Sequence, residues 1–312
     1  MDAVTYALVS QAISMLPNQQ HWFSRANMPT ARENLAAASL SGDRVLAVGG
    51  RVSVTRLNVV ECYDHNTNIW TSRANMPTAR SNLSAAPLSG DRVLAMGGTT
   101  TGSDYLTTVE RYDHNTNTWT SRASMPAGRF SLAAAPLSGD RVLAVGGAQP
   151  SGGTPSNTVA RYDDATNTWT SRANMLAARS NFSAAPLSGD RVLAVGGTGL
   201  TTVERYDHNT NTWTSRASLI GSLSSPVAAP LSGDRVLVTG NGRPQRYEDA
   251  SNTWTFRNDM LTPRSNSSAA SLSGDRVLVI GGTTSSTERY DDSDPNLLAL
   301  LRTIQSWAAT RP

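Results

Sequence analysis

One decamer, Ser89-Gly90-Asp91-Arg92-Val93-Leu94-Ala95-Met96-Gly97-Gly98, recurs with small changes at Ser41, Ser138, Ser188, Ser232 and Ser273. Successive copies start 48, 49, 50, 44 and 41 residues apart. Tryptophan keeps step at Trp22, Trp70, Trp119, Trp169, Trp213 and Trp254. A fixed period in this range marks units that bury their apolar faces only against their neighbours. The length of 312 residues would by itself suggest two domains. A unit of about 48 residues is too small to close a core alone, so all six are expected to share one fold.

Residues 77–124 give the full unit. A breaker-rich entry, Pro77-Thr78-Ala79-Arg80, leads into a small-residue run over 82–88, read as strand A. Ser89-Gly90-Asp91 has turn chemistry. The run 92–96 is short, aliphatic and closed by glycines, which makes it strand B rather than helix. A loop of variable length follows. Residues 108–112 alternate and form strand C, Asp113-His114-Asn115-Thr116-Asn117 is a link rich in turn formers, and 118–122 is strand D. Four short strands joined by tight turns are one antiparallel blade. The glycine pair is expected where backbones crowd together. Tyr112 and Trp119 are expected to fill the gap between blades and place their polar tips on carbonyls.

A double glycine, a tyrosine, then a tryptophan seven residues on resembles the kelch repeat. The triplets are Gly49-Gly50, Tyr63, Trp70; Gly97-Gly98, Tyr112, Trp119; Gly146-Gly147, Tyr162, Trp169; and Gly196-Gly197, Tyr206, Trp213. The fifth unit has Gly240-Asn241-Gly242 with Tyr247 and Trp254, and the sixth has Gly281-Gly282 and Tyr290 but Leu297 in place of tryptophan. The resemblance implies an all-β, six-bladed propeller over residues 21–292. Unit six lacks strand D, and residues 22–27 supply one with no A, B or C, so the ring is expected to close through Trp22. Short terminal helices are expected on either side. Val4, Leu8, Ala12 and Met15 recur at helical spacing in residues 1–20, and Asp294-Pro295 opens an amphipathic run through Trp307 in residues 293–312.

Composition excludes more than it assigns. The net charge is +3, carried by arginines at repeated positions rather than in a stripe with aromatics, so nucleic-acid binding is not expected. Cys62 is the only cysteine, and it stands where other units carry Arg111, Arg161, Arg205, Arg246 and Arg289, which reads as a neutral replacement. No disulfide scaffold is possible. Residues 1–20 lack the pattern of a secretory leader, and no run reaches the length of a membrane span, so a soluble, cytoplasmic protein is the expectation. Asn82, Asn181 and Asn266 match the glycosylation pattern as a by-product of repeat copying. His65, His114 and His208 share one position on different blades and therefore cannot converge on a metal. No phosphate loop, serine elbow or cysteine–histidine pair is present, and no cofactor is expected.

Two functional readings remain. The first is a non-enzymatic module that binds a protein partner on the face formed by the B-to-C and D-to-A loops. The B-to-C loops are long in units one to three (51–58, 99–107, 148–157) and short in units four to six, which raises one side of that face. Its repeat-breaking candidates are Arg51, Arg56, Asp104, Tyr105 and Gln149 with the segment 151–155, and Arg243 and Gln245 also break the repeat. Arg32, Arg80, Arg129, Arg179 and Arg264 could form a guanidinium ring at the channel mouth for a carboxylate or acidic peptide, or each could pair locally with a neighbouring blade. The second reading is a carbohydrate-active enzyme at the channel mouth. The resemblance also covers copper oxidases and sugar epimerases, but neither active site maps onto Cys62 or the histidines. Many kelch proteins carry a dimerising adaptor region before the propeller, and twenty residues would not hold one.

Overall fold

In a computed structural model, residues 21–150 and 152–292 are described. They form six antiparallel sheets arranged as the blades of a propeller, with no helix among the described residues. The two terminal helices expected from sequence lie outside the described residues. No described helix is long and apolar enough to cross a membrane.

Blade two shows the pattern. Strand A is Ser84–Leu88, B is Arg92–Met96, C is Val109–Asp113 and D is Thr118–Arg122, paired in the order A-B-C-D. The first strand starts two residues later than its small-residue run, because Asn82 holds a left-handed turn (φ 53°) before the chain becomes extended. In strand B, Val93, Leu94, Ala95 and Met96 are all fully buried. A strand sandwiched between two neighbouring blades has no solvent side, so it is apolar on both faces. Strand D, at the outer edge, keeps Thr118, Thr120 and Ser121 exposed and turns Trp119 and Arg122 inward. In blade five the B and C runs merge into one extended segment, Arg235–Glu248, whose halves pair with A and D.

The core is divided into six apolar clusters, each lying between two consecutive blades. Between blades one and two, Leu46, Val48 and Val60 meet Val93, Ala95 and Tyr112. The glycine pair works at this seam. A Cβ on Gly97 would lie 2.6 Å from the Arg129 carbonyl of the next blade, and one on Gly98 would lie 2.7 Å from the Ser81 carbonyl. The close approach lets Gly98 N–H donate to the Arg129 carbonyl at 3.0 Å. Gly97 is thus crowded by the next blade's entry turn and Gly98 by that of its own blade, and only glycine fits either place.

The sixth blade is built from both ends of the described chain. Strand D is Trp22–Arg25, paired with Thr287–Asp291 so that Trp22 faces Tyr290 and Phe23 faces Arg289. Each D-strand tryptophan donates its indole N–H to a carbonyl at the exit of the preceding blade. Trp70 bonds Ala26, Trp119 bonds Ala74, and Trp22 bonds Asn258 at 2.8 Å, so the ring of indoles is complete. The tyrosine tips go instead to a side chain. Tyr112 bonds Asn117 Oδ1, which also accepts the Ala74 N–H of the preceding blade.

Trp22 is buried in this seam with its indole N–H satisfied. Replacing it by Ala is expected to cost about 3–5 kcal/mol, as for other large buried aromatics. Chemical denaturation of the Trp22→Ala variant measures it, and a loss under 1 kcal/mol would contradict the closure.

Candidate functional site

The two faces of the propeller are built differently. On the A-to-B side, the Ser-Gly-Asp-Arg turn of every blade grips the next blade. Ser89 gives both its N–H and its hydroxyl to Asp140, each at 2.7 Å, and Arg92 Nη2 pairs with the same carboxylate at 2.6 Å. The same clasp joins Ser41 and Arg44 to Asp91, Ser138 and Arg141 to Asp190, Ser188 and Arg191 to Asp234, and Ser232 and Arg235 to Asp275. Ser273 and Arg276 close the circle on Asp43 of blade one. Each of these aspartates sits in the left-handed region (Asp91 φ 57°, Asp140 φ 53°), which Asp tolerates better than most residues and which aims its carboxylate at the neighbour.

Next to each clasp, the same arginine meets a second group from the next blade's C-to-D link. That group is His65, His114 or His208 at three seams and Asp164, Asp249 or Asp292 at the others. Burial, followed by the guanidiniums of Arg276, Arg289 and Arg25, pushes His65 down to about 4. His114 and His208 are lowered by burial and neighbouring arginines in the same way. These imidazoles are therefore neutral acceptors for arginine. For Asp43, burial alone would raise the pKa, but the Ser273 hydrogen bonds and Arg276 outweigh it and hold the carboxyl below its usual range.

The axial channel holds about 280 Å³ and is lined by strand A of every blade. Its lining consists of Asn, Ser, Ala, Leu, Val, Phe and Pro side chains. At one mouth, Asn34, Asn82, Ser131, Asn181, Ser225 and Asn266 all hold positive φ. Four consecutive steps are linked by backbone bonds, from Asn34 N–H to the Asn266 carbonyl round to Asn181 N–H on Ser131. The three asparagines of glycosylation-like pattern thus line the channel.

The arginines at the entry to strand A do not form an open ring. Arg32, Arg80, Arg129, Arg179 and Arg264 are all buried, at 3% exposure or less. Each guanidinium turns into its own blade. Arg80 bonds the Gly97 and Thr108 carbonyls and pairs with Glu110 at 2.9 Å; Arg32 pairs with Glu61, Arg179 with Glu204 and Arg264 with Glu288. Local pairing thus describes these residues, but to the same blade's glutamate rather than a neighbour's aspartate. A carboxylate arriving from outside would have to displace a buried one. In blade five the pair is replaced as a whole, by Leu223 and Gln245, with Gln245 accepting from Ile220 N–H.

Blade three breaks this rule. Arg129 keeps its bonds to the Gly146 and Thr158 carbonyls, but Ala160 stands where the glutamate should be. Thr30 and Thr78, which donate to the glutamates of blades one and two, are matched here by Ala127. Burial lowers the Arg129 pKa with no carboxylate to oppose it.

The loop-face candidates fall into two groups. Asp104 is a loop organiser: its oxygens accept from the hydroxyls of Thr99, Thr100 and Thr101 and from the N–H groups of Thr100 and Thr101. Burial would raise its pKa, but these donors hold it far below the carboxylate range. Gln149 ties its own loop, donating its side-chain amide to Thr158 and exchanging backbone bonds with Thr154 and Gly153. Tyr105 packs on Phe130 with ring centres 5.1 Å apart, and its carbonyl occupies the space a side chain at Gly128 would need. Arg51 pairs with Glu33 at 2.9 Å, and with Arg56 it flanks a two-residue-stranded hairpin, Arg51–Val52 with Thr55–Arg56. The structure does not bring the five into one pocket; they brace three neighbouring loops. Of the two other residues that break the repeat, Gln245 is buried, and Arg243 stacks over Phe256 at 4.9 Å.

Sequence reasoning missed a set of apolar residues on this face. Val52 and Val54 sit exposed on the blade-one hairpin. Leu176, Ile220 and Leu261 are 62%, 51% and 47% exposed on the entry turns of blades four, five and six. Blades one to three have Pro29, Pro77 and Pro126 there. The signal was present as a proline-to-aliphatic switch between the two halves of the repeat.

Comparison with known proteins agrees with this geometry. Residues 36–241 match the family model described as the KLHDC2/KLHL20/DRC7 Kelch-repeats domain. No curated protein matches the sequence. Among solved structures, one titled "Structure of YjhT" superposes with a TM-score of 0.71 at 15% identity, covering 86% of this chain and 95% of that one. At that identity the likeness extends to the fold.

Two outcomes follow from the buried charges. Ala160→Glu should return the missing partner to Arg129 and raise stability by about 1–3 kcal/mol, read by denaturant unfolding. The second concerns acid. Below about pH 6.5 the unfolded chain protonates histidines that the fold keeps neutral, so stability falls as pH drops towards 4. A further fall sets in below about pH 4, where the unfolded aspartates take up protons that the clasped ones refuse. Melting temperatures from pH 8 to 3 should show both stages. Replacing His65, His114 and His208 together by Asn, which keeps a neutral acceptor, should remove the first stage and leave the second.

Proposed function

We propose that this chain, which belongs to the kelch-repeat propellers, is a non-enzymatic module that binds a protein partner on its B-to-C and D-to-A loop face. The observation that carries the reading is the distribution of exposed apolar side chains. Val52 and Val54 stand on the raised half, and Leu176, Ile220 and Leu261 occupy equivalent turns of three consecutive blades on the low half. Exposed aliphatic groups set among polar loops are the composition of an interface core with its rim. The raised half is braced from within by Asp104, Tyr105 and Gln149, so it would meet a partner already ordered.

The channel gives the non-enzymatic part its support. Amide and hydroxyl groups line it, suited to hydrogen bonding but not to general acid–base work. A pull-down compares the wild type with two variants: one whose 148–157 loop is cut to the length of blade four's, and one carrying Ile220→Asp and Leu261→Asp. Partners recovered by the wild type should be lost from the double variant by about tenfold or more, with a smaller loss from the shortened loop. Equal recovery of every partner by all three proteins would overturn the reading.

A further inference from the structure

The six seams on the A-to-B face can be compared group by group, because the repeat supplies each with the same positions. At the seam of blades two and three, the guanidiniums of Arg92, Arg111 and Arg122 meet Asp164, and Arg92 also holds Asp140. The seam of blades four and five repeats this with Arg191, Arg205 and Arg216 on Asp249 and Asp234. The seam of five and six does so with Arg235, Arg246 and Arg257 on Asp292 and Asp275. Each has three cations to two carboxylates.

Where histidine replaces aspartate, two seams compensate. Between blades one and two, Cys62 removes one of the arginines. Between six and one, Asp291 stands 3.5 Å from Arg289. The seam of blades three and four does neither. Arg141, Arg161 and Arg172 surround His208, and among the described residues the one carboxylate in ion-pair contact with them is Asp190, held by Ser138 and Arg141. Asp163, on the strand of Arg161, is occupied in its turn by the N–H groups of Ala165 and Thr166. Among the described residues, Arg161 and Arg172 are thus left with no carboxylate in ion-pair contact, and Asp163 acts on Arg161 only at longer range.

Its guanidiniums are also underused. Arg122 and Arg216 give Nε to the next blade's tyrosine hydroxyl and Nη2 to the aspartate. The side chain of their counterpart Arg172 makes no hydrogen bond or ion pair among the described residues, and its Nε is buried without a partner, as are those of Arg25 and Arg73 at the other two histidine seams. Arg161 has His208 at 3.5 Å and no ion pair among the described residues, whereas its counterparts Arg111, Arg205 and Arg246 each hold an aspartate. The seam is half-buried rather than sealed, so a small solute can reach it.

We propose that the seam of blades three and four binds a small tetrahedral oxyanion, inorganic phosphate or sulfate, between Arg161 and Arg172 with Arg141 at its edge. A dianion carries charge enough to meet both guanidiniums that lack an ion pair. Its several oxygens suit forked donors converging from two blades. The anion takes the place that Asp164 and Asp249 hold at the neighbouring seams, where one carboxylate gathers three arginines.

The test uses the full chain and sodium phosphate as the probe, with sodium chloride at matched ionic strength as reference. Phosphate should raise the melting temperature above the chloride reference in a saturable way, and calorimetry should give one site per chain. His208→Asp supplies the missing carboxylate and should abolish the phosphate response while leaving the protein at least as stable as the wild type. Arg172→Gln should weaken phosphate binding about tenfold or more without a comparable loss of stability in chloride. No response of the wild type beyond chloride would overturn the proposal. So would an undiminished response in either variant, or failure of His208→Asp to fold, since the seams would then not be equivalent.

Discussion

Six copies of one contact, a serine and an arginine gripping the next blade's aspartate, hold the ring in register. The contact has to be made six times, and the sixth joins Ser273 and Arg276 to Asp43 across the whole length of the propeller. That requirement explains why Ser-Gly-Asp-Arg is the best-kept stretch of the repeat. Glycine and aspartate make the turn, the left-handed aspartate points at the neighbour behind it, and serine and arginine grip the aspartate ahead. Each turn therefore serves two seams, serine and arginine the one ahead and aspartate the one behind. The indole ring at the outer edge follows the same rule, with each blade supplying a donor to the blade before it. Between these two polar rings lie the apolar clusters, which need the blades already side by side in order to be buried at all.

Because the polar residues that recur are occupied in joining blades or bracing them from within, function has to be sought where the repeat fails. The failures are of three kinds. On the loop face, proline gives way to Leu176, Ile220 and Leu261, which adds apolar surface. Inside blade three, Ala160 leaves Arg129 without its glutamate. At the seam of blades three and four, His208 leaves three arginines with a single carboxylate in ion-pair contact among the described residues. Blade three takes part in two of the three, and it also carries the 148–157 loop.

Much of the architecture was legible in the sequence because a repeat reports its own boundaries. The four-strand unit, the six blades and the borrowed strand at Trp22 all follow from counting which pieces each copy has and lacks. What a period cannot report is which neighbour a residue touches. Ser89 and Asp91 look like partners within one turn, yet Ser89 binds Asp140, 51 residues away. Nor does a period report depth. Arg80 in a breaker-rich entry reads as a surface group, but Glu110 draws it fully inside. The missing glutamate at residue 160 was visible by alignment of the units, but its meaning depended on knowing that Arg129 is buried. Asp104 misled for a related reason: a carboxylate in a long loop resembles a ligand site until three threonines are found on it.

The strand that completes blade six is the part of the structure on which ring closure turns. Phe23 and Arg289 are direct partners across that seam. Directly opposed residues on antiparallel strands lie at a separation a disulfide can span. The decisive measurement is non-reducing mass analysis of the Phe23→Cys, Arg289→Cys double variant after mild oxidation, with buried Cys62 left in place. A closed ring gives a monomer with one bond between the two new cysteines and a raised melting temperature. Free thiols or disulfide-linked dimers would mean that the N-terminal strand pairs elsewhere and that the ring is not closed as described.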